Sequence, residues 1–155
     1  MTPRETAAYV ERLVPGWGAS LVMVALIAMI AIAYGAAFGA GLGWALFVAI
    51  AGIAALLAYR TAPRIEVTAQ GLQAAGALLP WAHLGSVIPL DAAGMREARG
   101  LKADARRYLV LRPWAASGGV LVEVRDPQDP HPAWLLSSRQ PIDLAAAITA
   151  ANPAG

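Results

Sequence analysis

Charged positions are absent from one long stretch of the chain and regularly spaced through the rest. Residues 13–59 contain no Asp, Glu, Lys, Arg or His. A helix rises ~1.5 Å per residue and ~20 residues cover the ~30 Å hydrocarbon core, so the stretch is too long for one crossing. It must turn back, and Phe38-Gly39-Ala40-Gly41 marks the place, between the strongly apolar runs 21–32 and 42–57. The pattern predicts a transmembrane hairpin over 16–59, with helices at about 16–38 and 42–59.

Aromatic placement gives the same answer. Trp17 and Tyr59 fall at one level and Tyr34 and Trp44 near the other, as expected of rings that favour the two membrane interfaces. The remaining chain is too short to bury two such helices in a soluble core. A cleaved signal peptide does not fit either, because the apolar run is too long and a second follows at once. Arg4 and Arg12 precede the hairpin, Arg60 and Arg64 follow it, and the turn is uncharged, so both termini are expected in the cytoplasm. Gly35 and Gly39 form a G-x-x-x-G, while Ala45, Ala49 and Gly52 line one side of the second helix. Such small-residue faces hold a hairpin together and equally suit a homo-oligomer. No ionisable group lies in the predicted spans, which leaves transport or proton relay without visible machinery.

Residues 1–15 read as a short amphipathic cytoplasmic lead-in, with Tyr9, Val10 and Leu13 at helical spacing. From Arg64 the period changes to two. Ile65 and Val67 alternate with Glu66 and Thr68, and turns follow at Gln70-Gly71 and Ala75-Gly76. Residues 77–79 and 87–90 are further short apolar runs. Asp91 is placed to cap a helix through Arg99, with Gly100 as its left-handed stop. Residues 108–112 and 120–124 look like an antiparallel strand pair about Ser117-Gly118-Gly119, with Val120, Val122 and Val124 on one face and Glu123 and Arg125 on the other. The proline-rich connector 126–132 leads to a strand at 133–137. Pro141 opens a helix with Leu144, Ala147, Ile148 and Ala151 in one stripe. The fold class is thus an α+β membrane protein: a two-helix hairpin, then a small antiparallel β domain over 64–151 with a C-terminal helix, and a tail at 152–155.

Composition narrows the chemistry. The chain has no cysteine, which removes disulfides, thiolate catalysis and cysteine-ligated metal centres. From Arg60 onward ten basic residues face eight acidic ones, so no basic field points to nucleic acid. The one local excess, Arg96, Arg99, Lys102, Arg106 and Arg107 against Glu97 and Asp104, fits a solvated face as well as a binding site.

Tyr108-Leu-Val-Leu-Arg-Pro-Trp114, the valine strand ending Asp126-Pro-x-Asp-Pro-x-Pro132, and Trp134-Leu-Leu-Ser-Ser-Arg-x-Pro141 together resemble the actinobacterial membrane family catalogued as domain of unknown function 3093. The resemblance extends over nearly the whole chain. It implies an actinobacterial inner-membrane protein and no particular activity. The order of hairpin, short strands and closing helix is also similar to bacterial pleckstrin-homology-like proteins, an architectural likeness that supplies no site.

Asp126, Asp129 and His131 crowd metal-ligating atoms into one turn, yet Asp before Pro commonly binds backbone N–H groups, and no second ligand segment is evident; no metal or cofactor is expected. His83 stands alone. Ser137-Ser138 lacks a base, and no triad spacing occurs, so no enzymatic activity is expected. Arg112 and Arg139 with Trp114 and Trp134 are the candidate contact residues, able to grip an anion such as a lipid phosphate between guanidinium forks and aromatic rings. The alternative has the two arginines pairing with Asp126 and Asp129 to brace the turn while the tryptophans fill the core. The expected role is a membrane-tethered interaction module that binds a protein partner through a strand edge or the groove beside the final helix. Anionic-lipid sensing through the basic segment, Arg112 and Arg139 is the alternative, and an enzyme acting on a membrane substrate the remainder.

Overall fold

A computed structural model describes residues 7–100 and 104–152. The chain divides into two compact units, Val14–Ala62 and the sequence flanking it on both sides.

Val14–Ala62 holds α1 (Trp17–Phe38) and α2 (Ala40–Arg60), both long and apolar enough to cross a membrane. Their limits match the expected spans except that α2 starts two residues early, because Gly39 alone makes the reversal. Its φ of +105° lies where L side chains are rare, and its N–H bonds Gly35 O at 2.9 Å. The helices approach closely at Gly35 and Gly43, where a Cβ on Gly43 would stand 2.7 Å from Ala31 O and 3.0 Å from Gly35 Cα. The expected small-residue row is thereby corrected. Ala45 and Ala49 are exposed, and nothing lies within 4 Å of a Cβ built on Gly52. At ~100° per residue those positions fall roughly opposite Gly43 on the helix. An apolar cleft of about 560 Å³ remains near the turn, lined by Ala31, Gly35, Gly43, Trp44 and Phe47 among others.

Among the described residues the second unit contains two four-stranded sheets. In the first, β1 (Tyr9–Arg12), β2 (Arg64–Val67), β3 (Gly71–Ala74) and β4 (Ala77–Pro80) pair antiparallel in that order. The presence of β1 overturns the amphipathic lead-in. Tyr9 to Arg12 lie opposite Val67 to Arg64, and Leu13 N–H closes the ladder on Pro63 O at 3.0 Å. Tyr9 and Leu13 are four apart, a spacing that serves helix and strand alike, and here Tyr9, Glu11 and Leu13 all turn inward at period two. Residues 1–6 of the expected lead-in lie outside the described residues.

The β3–β4 turn is Ala75-Gly76, with φ of 50° and 92°. Positive φ at both central residues is the hairpin geometry that Asn-Gly serves best, whereas alanine there costs about 1–2 kcal/mol. Ala75→Asn should raise stability by about 1 kcal/mol, read as a higher thermal midpoint with unchanged circular dichroism.

The second sheet has β5 (Leu84–Leu90), β6 (Tyr108–Val110), β7 (Gly118–Val124) and β8 (Ala133–Ser138), ordered β5-β7-β8-β6. The expected β6–β7 hairpin does not form. β7 lies antiparallel between β5 and β8, and β6 runs parallel to β8, so Gly118 and Gly119 are strand residues paired with Ser138 and Ser137 and not a hairpin turn. Val120 and Val122 are buried while Glu123 and Arg125 are exposed, as the alternation predicts.

Two helices complete the unit. In α3 (Ala92–Ala98) the Asp91 carboxylate accepts Gly94 N–H at 2.7 Å, the expected cap. Gly100 is not left-handed; its N–H makes a simple turn to Glu97 O. α4 (Pro141–Ala151) buries Leu144 and Ile148 and packs on β5, β7, β8 and β2, so it spans both sheets. Ile65, Val67, Leu72, Val120, Val122, Leu136, Leu144 and Ile148 form the main core. Met95 of α3 lies on the other face of the second sheet, over Gly119.

Candidate functional site

The chain leaves β6 at Leu111 and turns sharply through residues 112–116. Ala115 N–H and Ala116 N–H both donate to Arg112 O, at 2.8 and 3.0 Å. Arg112 N–H donates to Ser137 Oγ at 3.0 Å, which pins the turn to the end of β8. The Arg112 guanidinium donates through Nη1 to Leu111 O at 2.9 Å, and its carbon stands 5.5 Å from the Trp114 ring centre. Trp114 itself is 52% exposed. From the other side Arg139 Nε donates to Ala115 O at 3.2 Å. Three of the four candidate residues, Arg112, Trp114 and Arg139, therefore belong to one corner.

Trp134 does not join them. It stands at the start of β8, opposite Tyr108, 3% exposed, with the two ring centres 4.9 Å apart. Four residues of extended strand, ~13 Å, separate it from Ser138. Its indole N–H is buried without a partner among the described residues, and it is a core residue rather than a contact residue.

Glu11, outside the candidate set, organises the corner. Glu11 is 8% exposed. Its Oε2 accepts the Ser138 hydroxyl at 2.6 Å and the Tyr9 hydroxyl at 3.1 Å, and its Oε1 accepts Arg139 N–H at 2.8 Å. Ser138 Oγ in turn accepts Gln140 N–H at 3.1 Å. One carboxylate thus ties β1 to the junction of β8 and α4. Burial first, and the Glu11 carboxylate second, push the Tyr9 hydroxyl up to about 12. The available signal was the two-residue alternation of Tyr9, Glu11 and Leu13, which puts an acid on an inward face. The positive-inside rule gives such an acid little weight, so only the flanking arginines enter the topology expectation.

The 126–132 turn satisfies itself. Asp126 Oδ1 accepts Gln128 N–H at 2.9 Å, and Asp129 Oδ1 accepts His131 N–H at 2.8 Å. His131 Nδ1 donates to Arg106 O at 2.6 Å, and His83 Nε2 lies 3.9 Å from Asp126. These carboxylates serve their own backbone, not Arg112, whose guanidinium is held at its own turn. Among the described residues no three His, Asp or Glu side chains gather in a metal-holding group.

The basic segment also turns inward on itself. Arg96 and Arg99 donate to Ala92 O and Met95 O, and Arg107 to Ala98 O. Arg106 meets Asp104 at 3.0 Å, and its side-chain and backbone hydrogen bonds hold that carboxyl down at about 2. Lys102 lies outside the described residues.

A family model described as a protein of unknown function, DUF3093, matches residues 8–148. No curated protein and no solved structure matches the chain.

Proposed function

Since the chain belongs to the DUF3093 family, a family of unknown function, we propose that it is a two-span protein of the bacterial cytoplasmic membrane whose cytoplasmic domain binds a ligand without transforming it. The observation that carries this reading is β1. A strand that precedes the hairpin in sequence completes the same sheet as β2, which follows it. The two flanks then share one side of the bilayer, and the apolar segment between them crosses an even number of times. Arg12, Arg60 and Arg64 on the flanks, against an uncharged turn at the other end, support the cytoplasm as that side. Within this reading the domain is a pleckstrin-homology-like arrangement, two sheets closed by a C-terminal helix.

The binding face is the corner of Arg112, Trp114 and Arg139. An exposed tryptophan on a turn fixed from both sides is a preorganised contact. The strand edges on which protein recognition was expected are poorer hosts: β4 ends in Pro80, β5 contains Pro89 and β6 has three residues. The edge strand β1, with Val10 exposed, supports a second reading in which a protein partner adds a strand there.

Reporter fusions should place both termini in the cytoplasm, and an external signal at either end would defeat the topology. A photoreactive residue replacing Trp114 should give a specific adduct in native membranes. A bare chain after irradiation would count against the binding face.

A further inference from the structure

We infer that the Trp114 corner docks on the anionic headgroup surface of the bilayer that holds the hairpin, an inference that rests on the recognition reading above. Ile142, in the first turn of α4, is 73% exposed, and its chain neighbours lead to this corner. Its neighbour Pro141 would stand 3.2 Å from a Cβ on Gly118, and the Trp114 turn is bonded to Arg139 just before it. A tryptophan and an isoleucine that face water at fixed positions, with a guanidinium beside the indole, match what a membrane interface takes: ring and alkyl group at headgroup level, cation on phosphate.

Chain continuity identifies the occupant. Glu11 is hydrogen-bonded to Ser138 and Arg139, and six residues later Trp17 opens the first apolar helix. At most ~20 Å of extended chain is available between them. Size points the same way. A stable protein interface takes about 800 Å² from each partner, whereas two exposed apolar side chains with the adjacent Arg112 suffice for an interfacial anchor on a protein already tethered. Asp143, exposed next to Ile142, opposes the attraction, which makes the charge argument testable in both directions.

The chain has no cysteine, so single-cysteine variants carry one label each. Full-length Ile142→Cys, Gln128→Cys and Met29→Cys would each be labelled with an environment-sensitive fluorophore. Each would then be placed in nanodiscs of phosphatidylcholine alone or with phosphatidylglycerol, with nitroxide quenchers on the lipid headgroups and chains. Met29 is an exposed position of α1 and Gln128 an exposed position of the 126–132 turn. The label at 142 should be quenched by headgroup nitroxide in the anionic discs, less in the neutral ones and less at high salt, while the label at 128 stays bright. Arg112→Ala should cut the docked-to-free ratio about fivefold, the effect of one basic residue at an anionic surface, and Asp143→Asn should raise it. Equal brightness at 142 and 128 in anionic discs, with position 29 quenched, overturns the docking and leaves the membrane anchor standing. No quenching at 29 overturns the anchor itself. Protection at 142 that appears only in native membranes and is lost on protease treatment assigns the corner to a protein and also overturns the inference.

Discussion

Glu11→Ala should lower the stability of the β domain by about 3 kcal/mol, because it leaves buried donors facing an empty site and hydrogen bonds to a charged group are each worth about 1.5–3 kcal/mol. The carboxylate takes three donors at once: the hydroxyls of Tyr9 and Ser138 and the backbone N–H of Arg139. Removing it strands the Ser138 hydroxyl in a fully buried position. Glu11→Gln keeps the shape and one acceptor and should cost less. Two readouts separate this from a general loss of packing. Amide exchange in β1 should rise before that of β7. The Tyr9 hydroxyl, now free of the carboxylate that is the second cause of its elevation, should titrate below about 12. If the alanine variant melts with the parent and β1 exchange is unchanged, the three hydrogen bonds do not hold the strand.

Gly119→Ala is expected to be among the most damaging methyl additions in the domain. A Cβ at this position would strike the Leu136 carbonyl oxygen, which the β7–β8 ladder holds in place, and would come 2.7 Å from Met95 Sδ. A flexible methionine can move, but a backbone oxygen in a central strand cannot. The cost should exceed the 1–3 kcal/mol usual for overpacking, and the variant should be recovered mostly aggregated or proteolysed. Adding Met95→Ala should restore only part of the loss, since the carbonyl clash remains. Full rescue by Met95→Ala would show that the helix contact, not the ladder, sets the limit.

The elements legible in the sequence were those whose pattern is local. The helices of the hairpin follow from a stretch without charge. β2, β7, β8 and α4 follow from clean periods of two and 3.6, and the Asp91 cap from residue chemistry. What escaped depends on partners far along the chain. The strands around Val110 and Val120 were recognised, but nothing in either says that Tyr108 faces Trp134 in parallel rather than returning on β7. Tyr9 and Leu13 suit both periods, so their spacing predicts an amphipathic helix where β1 forms. The corner was half legible for the same reason. Arg112, Trp114 and Arg139 announced themselves by type, while Glu11, Ser137 and Ser138 gain meaning only once β1 is known to reach β8.

The place of β1 also redefines what a soluble version of this protein must contain. A fragment beginning at Thr61 would lack the first strand, Leu13 from the core and the carboxylate beneath Ser138, and should fold poorly. Leu13 and Pro63 are joined by a backbone hydrogen bond of 3.0 Å. Deleting the hairpin and linking these two residues by a short turn would retain every strand of the sheet.

The same strand imposes an order on biosynthesis. Glu11 leaves the ribosome early, yet its Ser138 partner lies 127 residues downstream. At translation rates of about 5–20 residues per second the Glu11 carboxylate must wait on the order of ten seconds for the Ser138 hydroxyl that donates to it. Both apolar helices emerge within that interval. In the proposed two-span topology, membrane insertion therefore precedes completion of the domain.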